Sequence, residues 1–113
     1  MISHVVLMTP KPDLSPDERR TFIDTFERAV TRIPAVKGVR IGTRVRHGAQ
    51  YEQITPPNGD FLAVIDFDDL AGLQAYLQHP EHVVLGRLFY ELLSAAWAYD
   101  FRVGGIEMLR DLR

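Results

Sequence analysis

The sequence predicts an α+β fold in which helices cover one face of a four-stranded antiparallel sheet. Short segments rich in β-branched and aromatic residues begin at residue 2, near residue 36, at residue 61 and near residue 97. Amphipathic helical patterns with clear start signals separate the first strand from the second and the third from the fourth. The resulting order, β-α-β-β-α-α-β, is that of the split β-α-β, or ferredoxin-like, architecture.

The first strand and the first helix have the clearest boundaries. The strand covers Ile2 to Met8 and ends at a proline-rich turn. The helix begins after Ser15, because Ser15-Pro16-Asp17-Glu18 combines a capping box with proline at the first helical position. An apolar stripe at three- and four-residue spacing continues to Ile33, where Pro34 ends the helix.

The remaining elements follow from similar signals. A second strand is expected over residues 36–45, a third over Phe61–Phe67, a short helix capped by Asp68 or Asp69 to Gln78, and a helix from Pro80 to Ala95. In that last helix the expected inward residues are Val83, Val84, Leu88, Leu92 and Leu93. A last strand covers 97–103, so the domain is predicted over residues 1–103 with a tail at 104–113.

Length and composition narrow the possible classes. The chain has 113 residues, enough for one domain with its own core, and it has no cysteine, which excludes disulfides and thiolate chemistry. A formal net charge of −2 argues against a nucleic-acid partner. Neither a membrane-spanning run nor a signal peptide is evident, so we expect no membrane association and a cytoplasmic location.

A sheet covered by helices on one side leaves its other face open. We expect that face to carry apolar residues, among them Val6, Met8, Ala63 and Ile65, and the aromatic row Trp97, Tyr99 and Phe101 to pack beneath the helices. A large open apolar face needs a cover, and a second copy of the chain is the simplest one. The prediction is a homodimeric barrel whose interior holds a pocket for a small apolar molecule.

The segment from Tyr76 to His82 has the strongest chemical signal. Two histidines, His79 and His82, flank Pro80 at a helix boundary, and Tyr76 precedes them by about one turn. Imidazole titrates near neutral pH, so His82 is a candidate general base and Tyr76 a candidate hydrogen-bond donor. His79 is either a helix cap or part of the pocket. The alternative is a purely structural role, in which these groups only complete the polar lining of an apolar cavity.

Several short motifs in this order resemble one known family. The chain is similar to the stress-responsive A/B barrel domain, a branch of the dimeric α+β barrel superfamily, over about residues 2–103. The motifs that carry the resemblance are His4-Val5-Val6, Ile33-Pro34-Ala35-Val36, Phe61–Phe67, Tyr76–His82 and Tyr99-Asp100-Phe101.

The resemblance implies a function and a set of site residues. A polyketide cyclase of this family closes a linear chain by aldol chemistry without a cofactor, and its tyrosine and histidine correspond to Tyr76 and His82. It further implies that Asp100 orients His82 and that His4 belongs to the site. The predicted substrate-binding residues are His4, Val6, Phe61 and His79. Phe61 replaces a histidine of the cyclase, so the substrate is expected to differ.

Other interpretations of the same residues stay open. The protein could bind an apolar ligand without catalysis, or it could be a haem or aromatic oxygenase, with Trp97 in the pocket. Three histidines, His4, His79 and His82, could hold a metal, although no carboxylate lies at a telling spacing, and no metal or cofactor is predicted. The alternating Arg40, Arg44 and Arg46 could bind an anion, but a solvated strand face is the more usual explanation.

Overall fold

The computed structural model describes residues 1–112 and confirms the α+β, ferredoxin-like prediction. Its four strands form one antiparallel sheet in the order β2-β3-β1-β4. Arg113, the last residue of the predicted tail, lies outside the described residues. The elements are β1 (Ile2–Pro10), α1 (Pro16–Arg32), β2 (Gly38–Thr43), β3 (Phe61–Phe67), α2 (Leu70–Gln78), α3 (Pro80–Leu92) and β4 (Leu93–Arg102), with 3₁₀ turns at Gln50–Gln53 and Ile106–Asp111.

Local sequence signals set the helix starts. Ser15 and Glu18 form the predicted capping box of α1, since each side chain bonds the other's backbone N–H. Asp69, one of the two predicted candidates, caps α2 by accepting the N–H of Gly72 at 2.8 Å. Pro80 occupies the first position of α3, where the missing N–H costs nothing.

The end of α3 differs from the prediction. The helix stops at Leu92 instead of Ala95, and β4 begins at Leu93 instead of Trp97. Strand β1 extends to Pro10, and its last residues pair with Leu93 and Ala95, so the sheet takes these positions from the helix. Two residues predicted to point inward, Val83 and Val84, are 52% and 44% exposed.

The sheet faces are also assigned differently from the prediction. Val6, Met8, Ala63 and Ile65, expected on the open face, are buried in the core beneath the helices, where the core also includes Phe26 and other α1 residues. Alternate residues of a strand point to opposite faces, so Val5 and Leu7 lie on the open side.

The aromatic row of β4 lies on the open face and not under the helices. Trp97 pairs with Leu7 and Tyr99 pairs with Val5, and paired residues share a face. Trp97, Tyr99 and Phe101 are 39%, 51% and 52% exposed. The face that lacks helices is therefore both apolar and aromatic. In the described part of the chain no helix is long and apolar enough to cross a membrane.

Candidate functional site

The junction between α2 and α3 places Tyr76 and His82 side by side. His79 adopts an extended backbone (φ −66°, ψ 140°) that closes α2 and opens α3. Its Nδ1 accepts the backbone N–H of Glu81 at 3.1 Å, so the imidazole is the N-cap of α3. The resulting turn brings the ring centroids of Tyr76 and His82 to 4.6 Å.

Both side chains face a cavity of about 440 Å³ inside a single chain. Helices α2 and α3 form one side of the cavity, and strands β1, β3 and β4 form the other. The predicted location between two protomers is wrong, because the cavity lies on the helix side of the sheet and not on its open face. His4 and Val6, two of the predicted binding residues, contribute to its lining.

Tyr76 is almost completely buried yet keeps a free hydroxyl. Its residue exposure is 1%, and its ring packs against Phe67 at a centroid distance of 5.2 Å. Within residues 1–112 the hydroxyl has no hydrogen-bond partner. The described residues contain no fully enclosed polar side-chain atom without a partner, so this hydroxyl is accessible, and it reaches the cavity that Tyr76 lines. Burial raises the pKa of Tyr76 above its ordinary value of 10.0, which keeps the phenol protonated as a donor.

His82 is held toward its neutral form. Burial lowers the pKa of its imidazole below 6.5, the neighbouring His4 lowers this pKa further, and a backbone hydrogen bond with Leu77 partly opposes both effects. A lowered pKa leaves the ring unprotonated at neutral pH. His82 is consequently available as a proton acceptor beside the ring of Tyr76.

Asp100 contacts His4 instead of His82. The two residues are directly paired between β1 and β4, and Oδ1 of Asp100 lies 2.6 Å from Nδ1 of His4. His4 is 7% exposed, whereas the Asp100 side chain is 45% exposed at the sheet edge. In the described chain no hydrogen bond joins Asp100 to His82, so the predicted orienting role falls on the other histidine of the site.

Two predicted binding residues lie outside this cavity. Phe61 lines a second, mainly apolar cavity of about 450 Å³ between α1 and the β2–β3 edge. His79 uses its ring to cap α3 and does not contribute to the cavity lining. The three-histidine metal hypothesis also loses support, and residues 1–112 contain no group of three potential metal ligands placed to hold an ion.

The arginine row has a partly structural role. Nη1 of Arg44 donates to the backbone carbonyls of Pro56 and Asn58, at 3.2 and 2.9 Å. These bonds fasten the loop before β3 to the end of β2. Arg44 is thus not simply a solvated residue of a strand face.

Sequence reasoning missed the contribution of α3 beyond His82. Gly86 lies four residues after His82, on the same helix face, and it lines the cavity together with Leu85 and Phe89. Ala96 and Ala98 of β4 form part of the opposite wall. The spacing of four residues from His82 was the sequence signal that could have identified Gly86. The position of the two alanines in the cavity wall depends on the register of β4, which the sequence does not show.

The fold and site define a class: a ferredoxin-like α+β domain with a tyrosine–histidine cavity between its helices and its sheet. Residues 2–103 match the model of the Stress responsive A/B Barrel Domain, and the chain belongs to this family.

Three comparisons place the chain among known proteins. Olivetolic acid cyclase from Cannabis sativa is 23% identical over 100 residues, which cover 88% of this chain and 94% of the cyclase. A dimeric ferredoxin-like protein of unknown function from Thermobifida fusca is 25% identical, with a TM-score of 0.68 and 90% of each chain covered. A hydroxynitrile lyase from Passiflora edulis is 14% identical, with a TM-score of 0.75 and coverage of 91% and 93%.

Proposed function

We propose that this protein is a small cofactor-free enzyme that removes a proton from carbon next to a carbonyl of an apolar, carbonyl-rich molecule, as a polyketide cyclase does. The observation that carries the proposal is the pairing of a buried phenol with a free hydroxyl and an imidazole kept neutral by burial, 4.6 Å apart between ring centroids. A base and a donor at one cavity are the minimum for forming an enolate.

The proposed reaction begins when a ring nitrogen of His82 takes a proton from the carbon next to a carbonyl. The hydroxyl of Tyr76 donates a hydrogen bond to the enolate oxygen as negative charge develops there. The enolate carbon then attacks a second carbonyl of the same molecule and forms a carbon–carbon bond. The new alkoxide takes a proton from the His82 imidazolium, so the base returns to its neutral form and the product is an isomer of the substrate.

His4 and Asp100 have a supporting role in this proposal. The Asp100 carboxylate accepts the Nδ1–H of His4 and fixes the tautomer of the ring. Nε2 of His4 is then the ring atom left to bond a hydroxyl or enol of the substrate. Asp100 acts through His4 and is a positioning residue, whereas His82 and Tyr76 contact the reacting atoms.

The compared proteins are compatible with an enzyme. Two of them are named as enzymes, a cyclase and a lyase, and the cyclase aligns with nearly the whole chain. Because sequence identity is low, the substrate has to be argued from this chain's own cavity. The lining is mainly apolar, and its polar side chains are His4, Tyr76, His82, Tyr90 and Ser94. Such a lining suits a molecule with an apolar body and a few carbonyls.

We also propose that two copies pair through their open sheet faces. That face exposes Trp97, Tyr99 and Phe101, an apolar surface that a monomer seldom leaves in water. The Thermobifida fusca protein, which resembles this chain over 90% of its length, is described as dimeric. The dimer would bury the aromatic row, while each chain keeps its own His82 cavity on the opposite side of its sheet.

The proposal is tested with 1-phenylhexane-1,5-dione, whose ring closure and dehydration give an enone that absorbs in the ultraviolet. We expect the wild-type protein to accelerate the closure over buffer, and His82→Gln to lower the acceleration by about 100-fold or more, the usual size of a general-base effect. His47→Gln, the same change at an exposed histidine of the loop, is the matched control and should retain full activity. Equal rates for His82→Gln and wild type would contradict the proposed base.

The two alternatives predict other outcomes. A non-catalytic ligand-binding protein would bind the diketone without closing it. An oxygenase would consume oxygen, or would bind haemin and form a coloured complex. Trp97, the residue that suggested a haem pocket, lies on the open face of the sheet, across from the His82 cavity.

A further inference from the structure

Gly86 makes a notch in the cavity-facing side of α3. The cavity-lining residues of this helix are His82, Leu85, Gly86, Phe89 and Tyr90, which follow the spacing of one helix face. Four of the five carry large side chains, and the one in the middle has none. The notch therefore lies beside His82 and one turn further along the helix.

Neither backbone geometry nor packing requires glycine at this position. Gly86 lies inside a regular helix, without the positive φ found at Gly48 and Gly59. A Cβ added to Gly86 would meet no atom within 4 Å outside the adjoining residues and the nearby backbone of its own helix. Glycine in a helix interior also lowers stability relative to alanine, so its presence here calls for a reason other than folding.

Part of the opposite wall of the cavity is also short of side-chain volume. Ala96 and Ala98 of β4 line it, and they pair with Met8 and Val6 of β1. Because β4 is the edge strand, these alanines are not covered by the helices and remain accessible. Small residues on both walls leave a slot between the helix and the sheet, in the cavity that Tyr76 also lines.

We propose that Gly86 and the facing alanines of β4 determine substrate shape, and that the slot admits a flat, conjugated carbonyl compound whose carbonyl bonds the Tyr76 hydroxyl. This inference deepens the proposed function, on which it rests for the identity of the reacting groups. A flat ring would pass between Gly86 and the facing alanines, whereas a globular apolar body of similar size would also meet the larger side chains of Leu85 and Phe89.

The test compares two ketones with twelve carbons each, the flat 2-acetylnaphthalene and the globular 1-acetyladamantane, by calorimetry. We expect the wild-type protein to bind the flat ketone at least about tenfold more tightly, and Gly86→Leu to lose about tenfold or more of that affinity. Gly86→Ala should lose less, because one methyl group fills only part of the notch. Arg87→Leu is the matched control, because it places the same side chain at the adjacent, exposed position. This variant should bind the flat ketone with wild-type affinity.

Equal or stronger binding of the adamantyl ketone, no binding of either ketone, or a folded Gly86→Leu with unchanged affinity would each overturn the inference. If Gly86→Leu fails to fold, Ala98→Leu narrows the slot from the other wall and is judged by the same criterion. Repeating the titrations in His82→Gln separates the substrate-shape proposal from the proposed catalytic base. A preference for the flat ketone that persists in this variant supports the slot even when ring closure is absent.

Discussion

Asp100 and His4 face each other across the β1–β4 pair, with a carboxylate oxygen 2.6 Å from Nδ1 of the buried imidazole. A carboxylate at this distance accepts a hydrogen bond and fixes the Nδ1–H tautomer. The contact couples the edge strand of the sheet to the interior of the cavity, where His4 lies 6.1 Å from Tyr76 between ring centroids.

Asp100→Asn should change the tautomer balance of His4 without unfolding the protein. An amide keeps one hydrogen-bonding atom near Nδ1 but removes the charge that favours Nδ1–H, so we expect a stability loss of about 1 kcal/mol. Nitrogen chemical shifts of the His4 ring report the tautomer directly. Asp111→Asn, a carboxylate of the C-terminal 3₁₀ turn, is the control. A His4 ring whose shifts are unchanged by Asp100→Asn would show that the pair does not set the tautomer.

Tyr76→Phe should lower ring closure by about 100-fold, the usual effect of losing one donor to a developing oxyanion. The side chain keeps its shape, and the lost hydroxyl has no partner within residues 1–112, so the melting temperature should hardly change. Tyr51→Phe at the exposed loop is the matched control. Wild-type activity in a folded Tyr76→Phe protein would remove the phenol from the mechanism.

His79→Ala should destabilise α3, because the imidazole accepts the Glu81 N–H as an N-cap. The expected loss is about 1 kcal/mol, and His79→Asn should recover most of it, since asparagine is a good N-cap. Urea unfolding measures both variants. If alanine and asparagine give the same stability, the cap contributes nothing, and a binding role for His79 would again need consideration.

Tyr99→Arg should separate the proposed dimer. A charge placed within an apolar face loses its hydration on association, and we expect the dissociation constant to rise by about 100-fold or more. Sedimentation equilibrium measures the change, and Tyr51→Arg in the exposed loop should leave association unaffected. A wild-type protein that is monomeric at micromolar concentration would contradict the dimer itself.

Sequence reasoning predicted the elements well wherever a local signal sets them. The capping box at Ser15, the N-cap at Asp69 and the proline at position 80 define helix starts through contacts within a few residues. Strand β3 is found at its predicted bounds, Phe61–Phe67, because a nearly continuous apolar run between Asp60 and Asp68 marks it directly in the sequence. These features need no knowledge of the distant parts of the chain.

The errors concern register and faces, which depend on distant partners. Alternation showed that Trp97, Tyr99 and Phe101 share one face, but only the pairing of β4 with β1 shows which face it is. The same register places Asp100 opposite His4, 96 residues away in sequence. The start of β4 at Leu93 likewise depends on the length of β1. Strand pairing between such distant segments cannot be predicted from a local sequence pattern.

The lowered pKa of His82 has a definite consequence for stability. The unfolded chain binds the proton at a higher pH than the folded protein, so stability is fully present above the ordinary value near 6.5. It falls as the pH drops below that value and levels off once the folded protein is protonated as well. His82→Gln should abolish this part of the pH dependence.

An NMR titration of the His82 ring is the decisive measurement for a neutral imidazole beside a protonated phenol. We expect a titration midpoint below 6.5, the ordinary value for histidine, in the free protein. Bound 2-acetylnaphthalene should lower the midpoint further by excluding water from the cavity. A midpoint at or above 6.5 that the ketone does not shift would contradict the proposed base, because His82 would then be a solvated imidazole without a site.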